Sequence, residues 1–187
     1  MYATARRSAL FGELLELFLA EGFAHLTLDA IASRLRCSKS TLYTLAGSKD
    51  QLVRAATVHF FRRAADRVEA ALRPVDGTQN RLTAYLTTVG AVLEPASGQF
   101  MDDLSAFAPA REVYEQNTAI AAKRVQELIA DGVRVGDVRD VNAAFVADVA
   151  ASVMVRIQRR EVSARTGLED SAAYLELARL LTAGIGA

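Results

Sequence analysis

The chain has 187 residues, of which 51% are hydrophobic and 24% charged, enough for a sizeable core and against disorder. Prolines and glycines are few while alanine and leucine abound, which favours helices over a β protein with many turns. The single cysteine, Cys37, excludes an intramolecular disulfide and any site with several cysteine ligands. We see neither a signal-peptide pattern nor an apolar run long enough to span a bilayer, so we expect a cytoplasmic protein.

Charge is unevenly distributed along the chain although the net charge is zero. Residues 1–73 contain 11 lysines and arginines against 7 aspartates and glutamates, whereas residues 74–187 contain 11 against 15. A basic N-terminal part beside an acidic remainder suggests a polyanion-binding module on a soluble body.

The first 73 residues predict four helices. Leu10, Leu14 and Phe18 form one stripe of the first helix, which Gly22 can end in a left-handed conformation. A second short helix is capped by Thr27 and a third by Ser38. Ser48 followed by Gln51 is a capping-box pattern that begins a fourth helix over residues 48–73, which Pro74 ends.

Five further helices are predicted, which makes the chain all-α with about nine helices: 78–94, 98–107, 110–133, 140–163 and 169–184. The segment Val141–Ile157 is apolar around most of its circumference and must be buried on several sides. Together with the wide apolar stripe of the last helix, it predicts a homodimer formed through residues 140–163 and 169–184, with Ala150 in the interface.

Residues 27–49 carry the most informative pattern, two short helices joined by a tight connection, which is typical of a helix-turn-helix. Ala32 provides a small residue for close packing and Leu42 an apolar anchor for the second helix. The exposed face of that second helix is rich in hydroxyl groups and carries a lysine, groups that reach phosphates and base edges. An ordinary helical corner with a solvated polar face is the alternative on this pattern alone.

Residues 10–60 resemble the N-terminal domain of the tetracycline-repressor (TetR) family of transcription regulators. The matching motifs run from Phe18 through Gly22-Phe23, then Thr27 to Ala32, Cys37 to Tyr43, and Ser48 to Leu52. The resemblance implies a DNA-binding domain over residues 1–47 and a helical ligand-binding and dimerisation domain over residues 48–187, linked by helix 48–73.

The resemblance also implies the residues that contact double-stranded operator DNA, with Tyr43 and Lys49 on phosphates and Thr27 capping the second helix. The full DNA-binding set is Thr27, Arg36, Ser38, Lys39, Ser40, Thr41, Tyr43, Thr44 and Lys49. Two features depart from the family pattern. Arg36 stands where the family has a turn glycine, and Thr44, Leu45 and Ala46 replace an aromatic-rich run, with Leu45 a candidate to fill the aromatic position.

In the family, the helices that follow the fourth enclose a cavity for a small-molecule effector, which we expect here to be apolar or weakly acidic. The candidate lining is Phe60, Arg63, Arg67, Tyr85, Val89, Phe100, Met101, Phe107, Tyr114 and Asn117. A filled core is the alternative, because aromatic residues at helical spacing usually indicate packing.

Other reactive side chains have simpler interpretations. We expect His59 to be an interior histidine rather than a metal ligand, and Cys37 to be a packing residue rather than a redox sensor. Asp102 and Asp103 are expected on a solvated helix face. We therefore expect no cofactor and no metal.

These patterns predict a DNA-binding transcription regulator, a repressor released from its operator by a small ligand. Two alternatives stay open: a helical interaction protein with a degenerate DNA reader, and a helical enzyme. The enzyme is disfavoured because the sequence has no catalytic triad, metal cluster or glycine-rich phosphate loop. Neither the operator sequence, the effector, nor the direction of regulation can be read from the sequence.

Overall fold

The computed structural model describes residues 2–186, with side chains described from Arg6 onwards. Within this range the chain is all-helical. The helices are α1 (Tyr2–Glu21), α2 (Leu28–Arg34), α3 (Lys39–Tyr43), α4 (Lys49–Leu72), α5 (Thr78–Leu93), α6 (Gly98–Ala106), α7 (Ala108–Val135), α8 (Ala143–Gln158), α9 (Glu161–Thr166) and α10 (Asp170–Ile185). The all-α class is confirmed, and no described helix is both long and apolar enough to cross a membrane.

The described residues form ten helices rather than the predicted nine, because the helix expected over residues 140–163 is divided into α8 and α9. Arg160 lies between them with a φ of 58°, in the left-handed region where an α-helix cannot continue. Its guanidinium pairs with Asp170 at 2.9 Å, so the break is held by a contact with the start of α10.

The local signals that begin and end the first helices are confirmed. Gly22 follows α1 with a φ of 78°. The Ser48 hydroxyl accepts a hydrogen bond from the Gln51 amide at 3.2 Å, and the Gln51 side chain accepts one from the Gly47 amide at 2.9 Å. This exchange satisfies amides at the start of α4 that have no partner within the helix.

The helices form two compact units. Unit 1 contains the residues up to Arg62 together with Pro95–Glu115, and unit 2 contains Arg63–Glu94 together with the residues from Gln116 on. Residues 95–115 therefore fold with the N-terminal helices, an association that the sequence did not predict. The division into domains at residues 47 and 48 stays a prediction.

The core of unit 2 is built by α5, α7, α8 and α10 around Leu82, Leu86, Ile129, Tyr174 and Ala178. Ala150 belongs to this core and is fully buried within a single chain. Our expectation that Ala150 lies in a dimer interface is therefore wrong. The apolar residues of α8 and α10 that remain exposed are Phe145, Val149 and Leu180.

A polar contact lies within this core. The Gln158 side-chain amide donates to the Tyr174 hydroxyl at 3.1 Å, and both side chains are buried. We expect Tyr174→Phe to lower the free energy of unfolding by about 1 kcal/mol, because the buried amide loses an acceptor. Urea denaturation measures this change, with Tyr43→Phe as the control because Tyr43 is half exposed. Equal unfolding free energies for Tyr174→Phe and wild type would contradict the assigned contact.

Candidate nucleic-acid interface

Helices α2 and α3 form a helix-turn-helix whose starts are fixed by side-chain caps. The Thr27 hydroxyl accepts a hydrogen bond from the Ala30 amide, and the Ser38 hydroxyl accepts one from the Thr41 amide, both at 3.1 Å. These caps replace bonds that the first amides of a helix cannot make internally. The predicted roles of Thr27 and Ser38 as caps are confirmed.

Buried apolar residues hold the two helices in place. Ile31 and Ala32 on α2 and Leu42 on α3 are buried. In the connection, the Cys37 amide donates to the Ala32 carbonyl at 2.9 Å, and Arg36 has a φ of 49°. Arg36 therefore occupies the left-handed conformation for which the family pattern has glycine, and its side chain extends into solvent.

Cys37 is half-buried in this turn, and burial raises the pKa of its thiol. The thiolate is the form that reacts with oxidants, so this environment disfavours redox chemistry. The observation supports a packing role for Cys37.

The outer face of the helix-turn-helix carries Lys39, Ser40, Tyr43 and Thr44, all exposed. Several of its hydroxyls already have local partners. Ser38 Oγ lies 2.8 Å from Ser40 Oγ and 2.8 Å from Thr41 Oγ1, while the Thr44 hydroxyl donates to the Thr41 carbonyl at 2.7 Å. A hydroxyl that contacts DNA from this face would have to share or exchange one of these bonds.

Ion pairs connect the helices of this region. The Lys39 ammonium lies 2.8 Å from the Asp29 carboxylate, and this hydrogen bond raises the pKa of Lys39. Arg34 on α2 pairs with Glu21 at the end of α1. Both pairs are solvent-exposed, so they contribute little to stability, but they determine which positive charges are already neutralised in the free protein.

Lys49 has an environment unlike that of an exposed phosphate contact. Its ammonium donates to the Ala24 carbonyl at 2.7 Å and lies 5.5 Å from the centre of the Phe107 ring. Partial burial lowers its pKa. In the described chain, Lys49 therefore stabilises the turn after α1 through the Ala24 carbonyl. Its predicted phosphate contact stays a prediction.

Asp103 is the residue that sequence reasoning missed. We expected a solvated carboxylate, but Asp103 is buried, with 4% of its surface exposed. Its Oδ2 accepts hydrogen bonds from the Phe23 and Ala24 amides at 2.6 and 2.8 Å, and Oδ1 accepts one from the Gln99 side chain at 2.8 Å. Asp102 is exposed as expected. No local signal distinguishes the two, because the backbone amides that bind Asp103 lie about 80 residues away in sequence.

The ten candidate ligand-contacting residues are divided between the two units. In unit 1, Phe60, Phe100, Met101 and Tyr114 are buried and Phe107 is half-buried. Phe60 packs against Phe61 and Phe100, with ring centres 5.1 and 5.5 Å apart, and Phe23 packs edge-on against Phe100 and Phe107. These ring contacts favour the alternative of a filled aromatic core for this part of the set.

In unit 2 the remaining candidates differ in exposure. Tyr85 is buried, its hydroxyl donates to the Ala121 carbonyl at 3.3 Å, and burial raises its pKa to about 12. Val89 and Asn117 are half-buried, whereas Arg63 and Arg67 are exposed. Neither guanidinium therefore lies in an enclosed site.

His59 is half-buried and packs edge-on against Phe11, with ring centres 5.2 Å apart. Among the described residues there is no group of three or more side chains suited to hold a metal ion. The ring contact supports the packing role predicted for His59.

Comparison with known proteins shows which family pattern and which solved folds resemble this chain. Residues 13–56, which contain the C-terminal part of α1, the helix-turn-helix and the start of α4, match the pattern of the bacterial regulatory proteins of the tetR family. The N-terminal segment of this chain thus matches the TetR family. The helix-turn-helix formed by α2 and α3 lies within this matched segment. No curated protein matches the chain.

The fold of the chain is similar to that of solved structures over nearly its whole length. A putative transcriptional regulator from Saccharomonospora viridis, solved in complex with choline, has a TM-score of 0.81 at 17% identity, with 98% of this chain and 99% of that chain covered. A TetR/AcrR-family regulator from Thermobifida fusca has a TM-score of 0.71 at 22% identity, with coverage of 96% and 98%. The fatty acid degradation regulator FadR from Bacillus halodurans has a TM-score of 0.75 at 11% identity, with 95% of each chain covered.

The left-handed turn residue gives a direct test of the local geometry. We expect Arg36→Gly to be more stable than Arg36→Ala by about 1 kcal/mol, because both remove the guanidinium but only glycine removes the strained β-carbon. Urea denaturation of the two variants measures the difference. An alanine variant as stable as the glycine variant would show that residue 36 does not adopt a positive φ.

Proposed function

We propose that this chain is a dimeric repressor of the TetR family, which binds operator DNA through α3 and leaves it when a small apolar or weakly acidic molecule binds the helices that follow the helix-turn-helix. The observation that carries the DNA-binding part is the outer face of the helix-turn-helix, which is polar and exposed while its inner face is buried through Ile31, Ala32 and Leu42. A second helix held in this way enters the major groove in helix-turn-helix proteins.

The residues proposed to contact DNA fall into two groups by their state in the free chain. Arg36 and Tyr43 extend into solvent and can reach phosphates directly. Lys39 is held by Asp29, so a phosphate must compete with that carboxylate for the ammonium. Asp29 therefore opposes DNA binding twice, through its own negative charge and through its hold on Lys39.

Removing the charge of Lys39 and removing the charge of Asp29 should change the affinity for DNA in opposite directions. We expect Lys39→Gln to weaken binding and to reduce the log–log salt slope by roughly one, because one phosphate contact is lost. Asp29→Asn should strengthen binding. Fluorescence anisotropy with duplex DNA from upstream of the gene, at several salt concentrations, measures both effects, and Tyr43→Ala should weaken binding to every duplex.

Asp66→Asn is the matched control, because Asp66 is an exposed carboxylate outside the helix-turn-helix. It should bind DNA with wild-type affinity. If Lys39→Gln, Asp29→Asn and Tyr43→Ala all match wild type across the salt series, α3 does not contact DNA. If the wild type itself binds no duplex, the chain is instead a helical interaction protein.

The proposed dimer rests on the exposed apolar residues of α8 and α10. Phe145 and Leu180 have 68% and 71% of their surface exposed in the single chain, and Val149 has 39%. Large apolar side chains left in water on two packed helices are accounted for by burial against a second copy of the same surface. Two recognition helices held in one dimer would then contact two half-sites of an operator.

The dimer predicts different outcomes for substitutions on the two sides of α8. Phe145→Arg combined with Leu180→Arg should give a folded monomer, because these residues contribute nothing to the core of the subunit. Ala150→Arg should unfold the subunit itself, because it places a charge in a fully buried position. Sedimentation velocity and circular dichroism separate these outcomes. A wild-type monomer at micromolar concentration would contradict the dimer.

The proposal that an apolar acid is the effector is supported by the solved structures with this fold and by Arg63 in unit 2. The structures with this fold include regulators of fatty acid metabolism and degradation and a regulator in complex with choline. A fatty acid carries a negative charge, whereas choline carries a positive one. Arg63 extends from α4 and has no ion pair in the part of the chain that the structure describes. Its guanidinium is suited to a carboxylate and repels a quaternary ammonium, so an apolar acid is favoured.

This choice can be tested with oleate and choline as probes. We expect oleate to lower DNA affinity by about 5- to 150-fold, a typical allosteric coupling, and choline to leave it unchanged. Arg63→Ala should reduce the response to oleate while ligand-free DNA binding stays intact, and Arg62→Ala serves as the control on the same helix. Oleate that binds without changing DNA affinity, or a response to choline alone, would contradict the proposal.

A further inference from the structure

The turn that follows α1 is held by α6 through backbone groups that α1 cannot satisfy itself. The Ser97 amide at the start of α6 donates to the Leu19 carbonyl in the last turn of α1 at 2.8 Å. Six residues after Ser97, the Asp103 carboxylate accepts the Phe23 and Ala24 amides. Both a terminal carbonyl and two amides just beyond the helix end are thus satisfied by one neighbouring helix.

The approach of α6 to this turn is close. A β-carbon on Gly22 would lie 2.6 Å from Asp103 Oδ2 and 2.6 Å from Gln99 Cγ, distances that real β-carbons do not adopt. Phe23 is fully buried, with its ring against those of Phe100 and Phe107. The carboxylate therefore bonds to a turn whose position is also fixed by packing.

The same turn is connected to the start of α4. Ala24 donates its amide to Asp103 and accepts the Lys49 ammonium on its carbonyl at 2.7 Å. A buried negative charge and a half-buried positive charge thus bind opposite ends of one short segment. Three residues after Ala24, Thr27 caps α2, so the position of this segment sets where the helix-turn-helix begins.

We propose that Asp103 is a positioning residue for DNA binding, which holds the Phe23–Ala24 segment and thereby fixes the orientation of α2 and α3 for the DNA. This inference rests on the proposed DNA-binding function. Asp103 does not contact DNA itself. Asp103 acts through the two backbone amides. Its carboxylate accepts hydrogen bonds from both of them and from the Gln99 side chain.

The Asp103→Asn variant tests this role with little change in size. An asparagine oxygen can still accept both backbone amides, but it lacks the negative charge that strengthens these hydrogen bonds, and the Gln99 amide must turn over to pair with the new NH2 group. We expect duplex DNA affinity to fall by roughly tenfold, since the two charge-assisted hydrogen bonds that hold the segment become weaker neutral ones. Hydrogen exchange of the Phe23 and Ala24 amides, followed by NMR, should become faster.

Two controls separate positioning from charge and from general stability. Asp102→Asn makes the same charge change at the adjacent exposed residue and should bind DNA normally. Leu104→Val shortens a fully buried side chain of the same helix, so it lowers stability without touching the carboxylate. It should retain DNA affinity when measured well below its melting temperature.

The experiment is duplex DNA binding of the full chain and the three variants, together with amide exchange. Loss of affinity in Asp103→Asn alone, with faster exchange at Phe23 and Ala24, is the expected result. Wild-type affinity in Asp103→Asn, or an equal loss in Leu104→Val at matched stability, overturns the inference and leaves the proposed function intact. A wild-type chain that binds no DNA overturns the proposed function and the inference with it.

Discussion

The end of α1 is the point on which the geometry of unit 1 depends. A helix end leaves amides and carbonyls without internal partners, and burying them unpaired would destabilise the fold. Here the buried Asp103 carboxylate accepts the Phe23 and Ala24 amides, and the Lys49 ammonium binds the Ala24 carbonyl. Because α1, α4 and α6 all contribute to this one junction, the helix-turn-helix starts from a fixed position rather than from a free loop.

The helix-turn-helix that begins there is stabilised mainly from its inner side. Buried Ile31, Ala32 and Leu42 hold α2 against α3, while the exposed pairs Lys39–Asp29 and Arg34–Glu21 connect neighbouring helices at little energetic gain. The outer face is therefore free to exchange its local bonds for contacts to a nucleic acid. This division between a rigid inner face and an exchangeable polar face is what DNA reading by a short helix requires.

Features set by neighbouring residues could be predicted from the sequence. The caps at Thr27, Ser38 and Ser48 act over three residues, and the left-handed conformation of Gly22 follows a helix end, so each depends on local chemistry. The break at Arg160 was missed because an arginine there gives no turn signal. The burial of Asp103, the internal contacts of Lys49 and the burial of Ala150 were missed for a different reason. Their partners are distant in sequence, and periodicity alone does not show which apolar face of a helix meets its own subunit.

In the proposed dimer, a two-fold pair of α3 helices reads DNA in the major groove. Hydroxyl-radical footprinting tests it most directly, on duplexes selected by the wild-type protein from a random library. A two-fold pair of α3 helices should protect two patches related by two-fold symmetry and separated by about one helical turn or a multiple of it. Selection of no preferred sequence, or a single asymmetric patch that persists in a folded Lys39→Gln, Tyr43→Ala double variant, would contradict it.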